Sequence, residues 1–345
     1  MITANYHKYI LNFKNPSGTS RGILRTKETW FIIISDGKKT GIGETGLFRG
    51  LSIDDRVDYE EKLQWTCENI NKGLSFLLKE LSEFPSIQFG LEQSFLSLQS
   101  QNQFDLFPSD FTSGKSSIPI NGLVWMGDNE FMKTQIKEKL KTGFTCIKMK
   151  IGAIDFDTEI ELLKSIRKEF SAKEIELRVD ANGAFSPKEA LEKLKVLSEL
   201  KLHSIEQPIK QGQWQEMASL CEKTPLPIAL DEELIAVFSS EEKENCIKTI
   251  NPQYIILKPS LVGGFIGSKK WINFAEENNC GWWITSALES NIGLNAIAQF
   301  TFTLKSKLPQ GLGTGSLFTN NFDSPLDVKD GNIQYNPTKN WNFNL

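Results

Sequence analysis

Six ionisable residues each stand at the end of a short apolar stretch in the middle of the chain. They are Lys148, Lys150, Asp180, Glu206, Asp231 and Lys258. From Lys150 onward they recur about every 25 to 30 residues, which is the length of one β/α unit. In a parallel barrel the carboxyl ends of the strands converge on one face, where barrel enzymes place their catalytic groups. We therefore expect these six side chains to meet there.

The residue types predict proton abstraction assisted by a metal. Three carboxylates, completed to an octahedron by water and substrate oxygens, suit Mg²⁺. Lys148 and Lys150 are two apart on a strand and point to the same face, so mutual repulsion and a nearby dication should lower the pKa of one amine and make it a base. A bound metal stabilises the negative charge that develops when a proton leaves carbon beside a carboxylate. Taken singly, each residue could be a solvated charge or a helix cap, and Asp180 could begin a turn through Asn182 and Gly183.

The elements that must position these residues alternate between strand and helix. From Ile118 onward, short apolar stretches are separated by amphipathic segments of helical period. The eight predicted strands are IPINGLVW, TCIKMK, IELRVD, HSIEQ, PIALD, YIILK, WWITS and GLGTG. Eight such units predict an α/β fold, a (β/α)₈ TIM-type barrel over residues 117–317. A doubly wound sheet stays open as the alternative.

Residues 1–116 are organised differently and predict an α+β section. The Asp36-Gly37 pair between two apolar stretches predicts a hairpin, and helical spacing follows over Ile53–Leu81 and Ile87–Leu98. The polar stretch 99–117 predicts a linker. The tail, about 318–345, lacks helical period and could return to cover this first section.

Composition narrows the class of partner. The formal net charge is −4, with no long basic run, so we expect no nucleic-acid or membrane partner but a small molecule. The five cysteines are far apart without a C-x-x-C pair, which predicts buried free thiols in a reducing cytoplasm. No targeting segment or membrane span is predicted. A monomer and a homo-oligomer stay equally open.

Several motifs at the strand ends carry a family resemblance. K-M-K, V-D-A-N-G, E-Q-P, A-L-D-E and L-K-P resemble the strand-end motifs of the muconate-lactonising subgroup of the enolase superfamily. G-E-T-G-L (43–47) with G-L-S (50–52), L-R-V-D-A-N, T-S-A-L-E-S-N-I-G-L (285–294) and G-L-G-T (311–314) are similar to the o-succinylbenzoate synthases of that subgroup. The resemblance covers nearly the whole chain.

This resemblance implies a Mg²⁺-binding barrel covered by an N-terminal α+β capping domain, with specific roles for the six residues. It implies that Asp180, Glu206 and Asp231 bind the metal, that Lys150 is the base with Lys148 beside it, and that Lys258 faces the substrate from the other side. The implied reaction is dehydration of a succinyl-hydroxycyclohexadiene carboxylate to o-succinylbenzoate in menaquinone biosynthesis, through a metal-stabilised enediolate.

The resemblance also suggests groups that touch the carboxylate substrate. Arg178, Ser286 and the backbone at Gly311 are the expected contacts. Two positions depart from the family pattern, because Gly313 stands where many members have an acid and Ala287 where a second serine is common. Both would affect substrate fit rather than proton transfer.

Two rival functions stay open. Two lysines on opposite faces also suit an N-acylamino acid racemase or another epimerase, although the missing Asp-x-Asp at the eighth strand disfavours dipeptide epimerases. A non-catalytic barrel binding protein is disfavoured by the complete set of base and ligands. His203, near the start of its strand, is predicted to be structural, whereas Arg21, Arg25 and Arg49 could meet a substrate carboxylate or be surface charges.

Overall fold

A computed structural model describes residues 1–19, 22–125, 129–152 and 154–345. Its described strands fall into three sheets. The strands are β1 (Thr3–Thr19), β2 (Gly22–Ser35), β3 (Thr40–Glu44), β4 (Ser117–Pro119), β5 (Gly122–Val124), β6 (Cys146–Lys150), β7 (Glu176–Asp180), β8 (Ser204–Glu206), β9 (Ile228–Leu230), β10 (Tyr254–Leu257), β11 (Gly281–Ile284), β12 (Leu326–Lys329) and β13 (Asn332–Tyr335).

The central sheet is parallel and follows chain order from β5 to β11. The predicted eighth strand, GLGTG, is reduced to isolated parallel bridges that join Gly311 to Thr285 on one side and Gln310 to Ile120 on the other. Because these bridges connect the two edges of the sheet, they close it into a TIM-type barrel. The barrel prediction is confirmed, with a seven-stranded sheet in place of eight full strands.

Helices follow the barrel strands and cover the sheet from outside. The described helices are α1 (Tyr59–Glu68), α2 (Leu74–Glu80), α3 (Pro85–Gln99), α4 (Asn129–Lys141), α5 (Phe156–Glu169), α6 (Pro187–Ser198), α7 (Trp214–Lys223), α8 (Ser240–Ile250), α9 (Pro259–Val262), α10 (Gly264–Glu277) and α11 (Asn291–Thr303). Local signals explain several starts: Pro187 and Pro259 stand in first turns, and Ser239 forms a capping box with Glu242 at α8.

The N-terminal cap consists of the antiparallel sheet β1-β2-β3 with α1, α2 and α3. The Asp36-Gly37 hairpin is present, with Ser35 paired to Thr40. The predicted helix over Ile53–Leu81 is divided into α1 and α2, since Gly73 at φ 85° interrupts it. Gly41 and Gly43 of β3 lie against α3 so closely that an added Cβ would clash with its backbone oxygens. These two glycines therefore let the sheet and the helix touch.

The polar stretch 99–117 is not a loose linker. Phe104 and Phe111 are buried, and the side-chain oxygen of Gln299 in α11 accepts the N–H groups of Leu106 and Phe107. Aromatic packing overrides the polar composition that predicted a linker.

The tail contacts both parts of the chain. Phe318 forms an isolated antiparallel β-bridge with Phe13 of β1, and the ring of Phe322 packs on that of Phe31 in the cap. Further along, β13 pairs with β4 beside the barrel. The tail therefore joins the cap to the barrel.

All five cysteines are free and buried, as predicted. Among the described residues, no helix combines the length and the apolar character that crossing a membrane requires.

Candidate active site

Neighbouring strands place the ionisable residues at one end of the barrel. The sheet register aligns Lys150 of β6 with Asp180 of β7, and Asp180 with Glu206 of β8. Asp231 directly follows β9 and Lys258 directly follows β10. All six predicted residues therefore lie at or near the carboxyl ends of five consecutive strands.

The lysines contact the carboxylates. Lys148 Nζ lies 2.9 Å from Asp180 Oδ2 and also donates to Glu206 Oε2. Lys150 Nζ is 3.1 Å from the same Asp180 oxygen. Lys258 Nζ donates to Asp231 Oδ2. These side chains are largely buried, so their charges are poorly screened and interact strongly.

The electrostatics differ from the expectation that lysine–lysine repulsion dominates. Burial opposes the charged form of Lys148, but the carboxylates of Asp180, Glu206 and Asp231 outweigh it and raise the pKa of the ammonium group. Burial likewise opposes the charged form of Lys258, but neighbouring carboxylates, Asp231 above all, outweigh it and raise the pKa of this lysine as well.

The carboxylates themselves divide into two kinds. Burial would raise the pKa of Asp180, but Lys148 and Lys150 hold it well below its usual range. For Glu206, burial and the neighbouring Asp180 charge raise the pKa well above its usual range. Asp180 is therefore held by two ammonium groups, whereas Glu206 accepts from Lys148 through one of its oxygens only.

The residue types suit a divalent metal, and one carboxylate oxygen is placed to bind a cation. Glu206 Oε1 is buried without a hydrogen-bond partner among the described residues. Carboxylate oxygens are the ligands that Mg²⁺ prefers. In the part of the chain that the structure describes, no three His, Cys, Asp or Glu side chains are grouped as a ready metal cluster, and lysine ammonium groups lie against these carboxylates. Binding a metal would require the ammonium groups to withdraw.

Two further residues complete the group, and sequence reasoning gave neither of them this role. Lys150 Nζ donates to Asn182 Oδ1 at 2.6 Å, and Asn182 Nδ2 donates to Glu232 Oε1 at 2.9 Å. Glu232 thus orients the amide of Asn182 so that its oxygen faces Lys150. The sequence signal was the V-D-A-N-G motif, in which Asn182 was considered only as a turn residue; it does adopt φ 43°.

A cavity of about 110 Å³ opens over these groups. It is lined by Lys148, Lys150, Asp180, Asn182, Glu206 and Lys258 from the strand ends, by residues 285–288, by Gly311, Gly313 and Thr314, by Asn121, Leu123 and Trp125, and by Phe48 and Leu51 of the cap. Ligand pockets usually exceed about 300 Å³. The lysine–carboxylate contacts draw the charged side chains together, so a ligand must separate some of them.

Ser286 and Gly311, two predicted substrate contacts, both line this cavity. Ser286 Oγ donates to Glu289 Oε2 at 2.7 Å and accepts from Thr314 Oγ1 at 2.9 Å. Gly311 has no room for a side chain, since a Cβ would lie 2.1 Å from Thr285 Oγ1. Its neighbours Gly313 and Ala287 add no charge to this side of the cavity.

Arg178 lies elsewhere. It stands two residues before the end of β7, does not line the cavity, and directs its guanidinium to Glu176 Oε1 at 2.7 Å and to the carbonyl oxygen of Pro309 at 2.9 Å. Its guanidinium carbon also lies 4.2 Å from the centre of the Trp283 ring. Arg178 therefore does not line the cavity as described, since Glu176 and Pro309 hold its guanidinium, and its role as a substrate contact stays a prediction.

The remaining sequence candidates do not reach the cavity. His203 packs on Tyr254, with ring centres 4.8 Å apart. Arg49 is paired with Glu28 at 2.7 Å and with Asp55 at 2.5 Å. Arg25 is not among the cavity residues, and Arg21 lies outside the described residues.

Two carboxylates of the cap fix it to the barrel beside this site. Glu44 of β3 accepts hydrogen bonds from Ser290 N at 3.0 Å and Gly293 N at 2.9 Å, at the start of α11. Glu92 of α3 accepts the N–H groups of Phe265 and Ile266 at the start of α10. Helix N-termini favour negative charge, so these contacts hold the cap, with Phe48 and Leu51, over the barrel mouth.

Comparison with known proteins agrees with this architecture. The family model described as enolase C-terminal domain-like matches residues 132–339. The o-succinylbenzoate synthase of Desulfotalea psychrophila is 47% identical, over 95% of this chain and 97% of the relative. The L-Ala-D/L-Glu epimerase of Bacillus subtilis is 28% identical over 60% of this chain and 54% of that protein.

Solved structures give the same picture. The crystal structure of MenC from Desulfotalea psychrophila has a TM-score of 0.87 and 43% identity, and covers 96% of this chain and 99% of that chain. The Bacillus subtilis L-Ala-D/L-Glu epimerase has a TM-score of 0.81 at 20% identity, covering 96% of this chain and 95% of its own, and shares the fold. Since the 47% identity extends over nearly the full length of both chains, this chain belongs to the o-succinylbenzoate synthase family of enzymes, within the enolase superfamily.

Proposed function

We propose that this enzyme dehydrates a succinyl-hydroxycyclohexadiene carboxylate to o-succinylbenzoate, with Mg²⁺ as cofactor, as a step of menaquinone biosynthesis. The observation that carries the proposal is the lysine pair of β6 facing the carboxylates of β7 and β8 in a cavity lined by Ser286 and Gly311. Family membership supports the dehydration, because the relative that is 47% identical bears that name.

Asp180, Glu206 and Asp231 would hold the metal, and the buried, unpaired Glu206 Oε1 supports this assignment. When bound, Mg²⁺ stabilises the negative charge that develops on the substrate carboxylate as its α-proton leaves. Lys148 and Lys258 then supply positive charge from two sides of the cavity.

Lys150 is the proposed base. It removes the proton on the carbon that bears the carboxylate, and the freed electron pair forms the ring double bond as the hydroxyl leaves from the adjacent carbon. The ammonium group of Lys150 returns the same proton to the departing hydroxyl, so the products are an aromatic ring and one water. Asn182 Oδ1, fixed by Glu232, accepts from Lys150 Nζ and keeps it directed into the cavity.

Lys258 approaches from the opposite side, since β10 is four strands from β6 in the sheet. Its ammonium group can stabilise the delocalised ring by a cation–π contact. The same opposition favours a second candidate, racemisation of N-acylamino acids, in which each lysine serves one face of the α-carbon. The neutral residues Gly311 and Gly313 in the cavity wall offer no carboxylate for a substrate ammonium, which disfavours dipeptides.

The proposal is tested by incubating the protein with Mg²⁺ and the hydroxycyclohexadiene substrate while following the loss of its ultraviolet absorbance. Lys150→Ala should reduce kcat by at least about 10³-fold, whereas Lys164→Ala, on the exposed face of α5, should leave it unchanged. Turnover by Lys150→Ala at the wild-type rate would refute the mechanism. If dehydration is absent but the α-proton of N-succinylamino acids exchanges with deuterium, the racemase is the correct assignment.

We also propose a cytoplasmic location, which the five buried free thiols support because a reducing compartment keeps thiols unpaired.

A further inference from the structure

A second and larger cavity lies where the cap meets the outside of the barrel. This junction cavity has a volume of about 840 Å³ and is bounded by α2 and α3 of the cap, by residues 236–238, and by α8, α9 and α10 of the barrel. It shares no lining residue with the catalytic cavity. Its size is that of a small-molecule pocket.

The junction cavity contains a buried positive charge that has no ion-pair partner among the described residues. Lys243 of α8 is only 3% exposed, and its ammonium group donates to the carbonyl oxygen of Val237 and lies 4.7 Å from the Trp271 ring centre. Among the described residues Glu242 is the carboxylate that attracts this ammonium group, and its effect is smaller than that of burial and of repulsion by Lys270. An uncompensated buried ammonium is costly, so an anion placed beside it would be stabilised.

Other charges around the junction cavity reinforce this bias. Burial, and then repulsion by Lys270, lower the pKa of Lys243 to about 8, which is the effect expected of an ammonium group that lacks a negative partner. Lys79 and Lys270 also line the cavity. The one acidic lining residue, Glu92, already accepts two backbone N–H groups of α10.

The rest of the wall is apolar and partly open to solvent. Phe238 is 36% exposed and Ile266 is 49% exposed, and Leu78, Leu261 and Val262 continue the same surface. Apolar side chains that remain exposed inside a concave pocket favour a ligand with an apolar body.

We propose that the junction cavity is a second binding site, for an organic anion whose acidic group pairs with Lys243 and Lys270 and whose apolar body packs against Phe238 and Ile266. The site is distinct from the catalytic cavity and needs no part of the proposed reaction. Because both the cap and the barrel contribute to its wall, its occupant stabilises their contact.

The experiment uses the fluorescent probe 8-anilinonaphthalene-1-sulfonate with the full-length protein. Saturable binding with blue-shifted emission is expected, displaced by octanoate but not by octanol. Lys243→Met should weaken probe binding at least about tenfold, and Lys248→Met, on the exposed side of the same helix, should leave it unchanged. Ile266→Asp provides a second test at an exposed position, where a substitution leaves the core intact, and should weaken binding similarly.

Melting curves of each variant establish that it is folded. Probe binding that survives both Lys243→Met and Ile266→Asp would overturn the proposal, as would displacement by octanol as effective as that by octanoate. Loss of binding in Lys150→Ala would place the probe in the catalytic cavity and would also overturn it.

Discussion

The proposed catalytic cavity and the contact between cap and barrel both bury carboxylates, but they give them different partners. In the catalytic cavity, Asp180 and Glu206 face lysine ammonium groups at the ends of long, rotatable side chains. At the contact, Glu44 and Glu92 face backbone N–H groups at the first turns of α11 and α10. Lysine side chains can withdraw and give way to a metal or a substrate, whereas helix N-termini cannot. The first arrangement therefore suits chemistry and the second suits attachment.

The largest expected effect comes from the carboxylates of the proposed catalytic cavity. Asp180→Asn removes the charge that holds both Lys148 and Lys150, and one of the proposed metal ligands. We expect kcat/KM to fall by about 10³-fold, with loss of Mn²⁺ binding in electron paramagnetic resonance titrations, while a melting curve establishes that the variant is folded at the assay temperature. Asp157→Asn, on the exposed face of α5, is the matched control. Activity within tenfold of the wild type would mean that Asp180 is a structural charge.

Glu44, a carboxylate that attaches the cap to the barrel, should have a large effect on stability and a small one on activity. Its carboxylate also lies near Lys27, a buried ammonium group without a hydrogen-bond partner among the described residues. Glu44→Gln should lower the free energy of unfolding by about 3 kcal/mol, because the start of α11 loses its negative partner and Lys27 keeps only Glu289 as an acidic neighbour.

Urea titrations measure this change, with Glu61→Gln on the exposed face of α1 as the control. If Glu44→Gln instead loses activity without losing stability, the contact between cap and barrel contributes to catalysis, and the two regions do not divide into chemistry and attachment.

Glu92 should show a smaller effect that depends on pH. Burial raises its pKa to about 7, although the N–H groups of α10 partly oppose this. Because the folded-state pKa is above the unfolded value of about 4.3, its contribution to stability is fully present below pH 4 and is lost as pH rises through 7.

The free energy of unfolding of the wild type should therefore fall by about 2 to 3 kcal/mol between pH 4.5 and pH 8. Glu92→Gln should not show this fall. Urea titrations across that range measure it. Parallel pH profiles for the two proteins would show that Glu92 stays ionised when folded, as a carboxylate fully compensated by the helix does.

Prediction from strand periodicity was most successful at the ends of the barrel strands. A recurring apolar stretch ending on Lys, Asp or Glu predicts both the barrel and its carboxyl-terminal face, since parallel strands all end on one side. The alternation of side chains along β6 likewise predicted that Lys148 and Lys150 share a face. The eighth strand was harder to predict, because Gln310 and Gly311 make only isolated bridges.

The sequence pattern could not predict how far along the barrel a side chain lies, or which residues distant in the sequence it contacts. Strand alternation places Arg178 on the same face as Asp180 but does not reveal that it points toward the opposite end of the barrel, to Pro309. Asn182 read as a turn residue because its bond to Lys150 spans 32 positions. Each partner is set by the position of another strand or loop.

The amino-acid sequence by itself determined the repeating β/α units, the six charged strand ends and the chemistry that those residue types permit, because each depends on local periodicity and side-chain type. Only the tertiary structure decided which ammonium faces which carboxylate, how Glu232 orients Asn182, and where Glu44 and Glu92 attach the cap. These contacts join residues up to 249 positions apart, and their geometry follows from how the cap packs on the barrel, which no local pattern encodes.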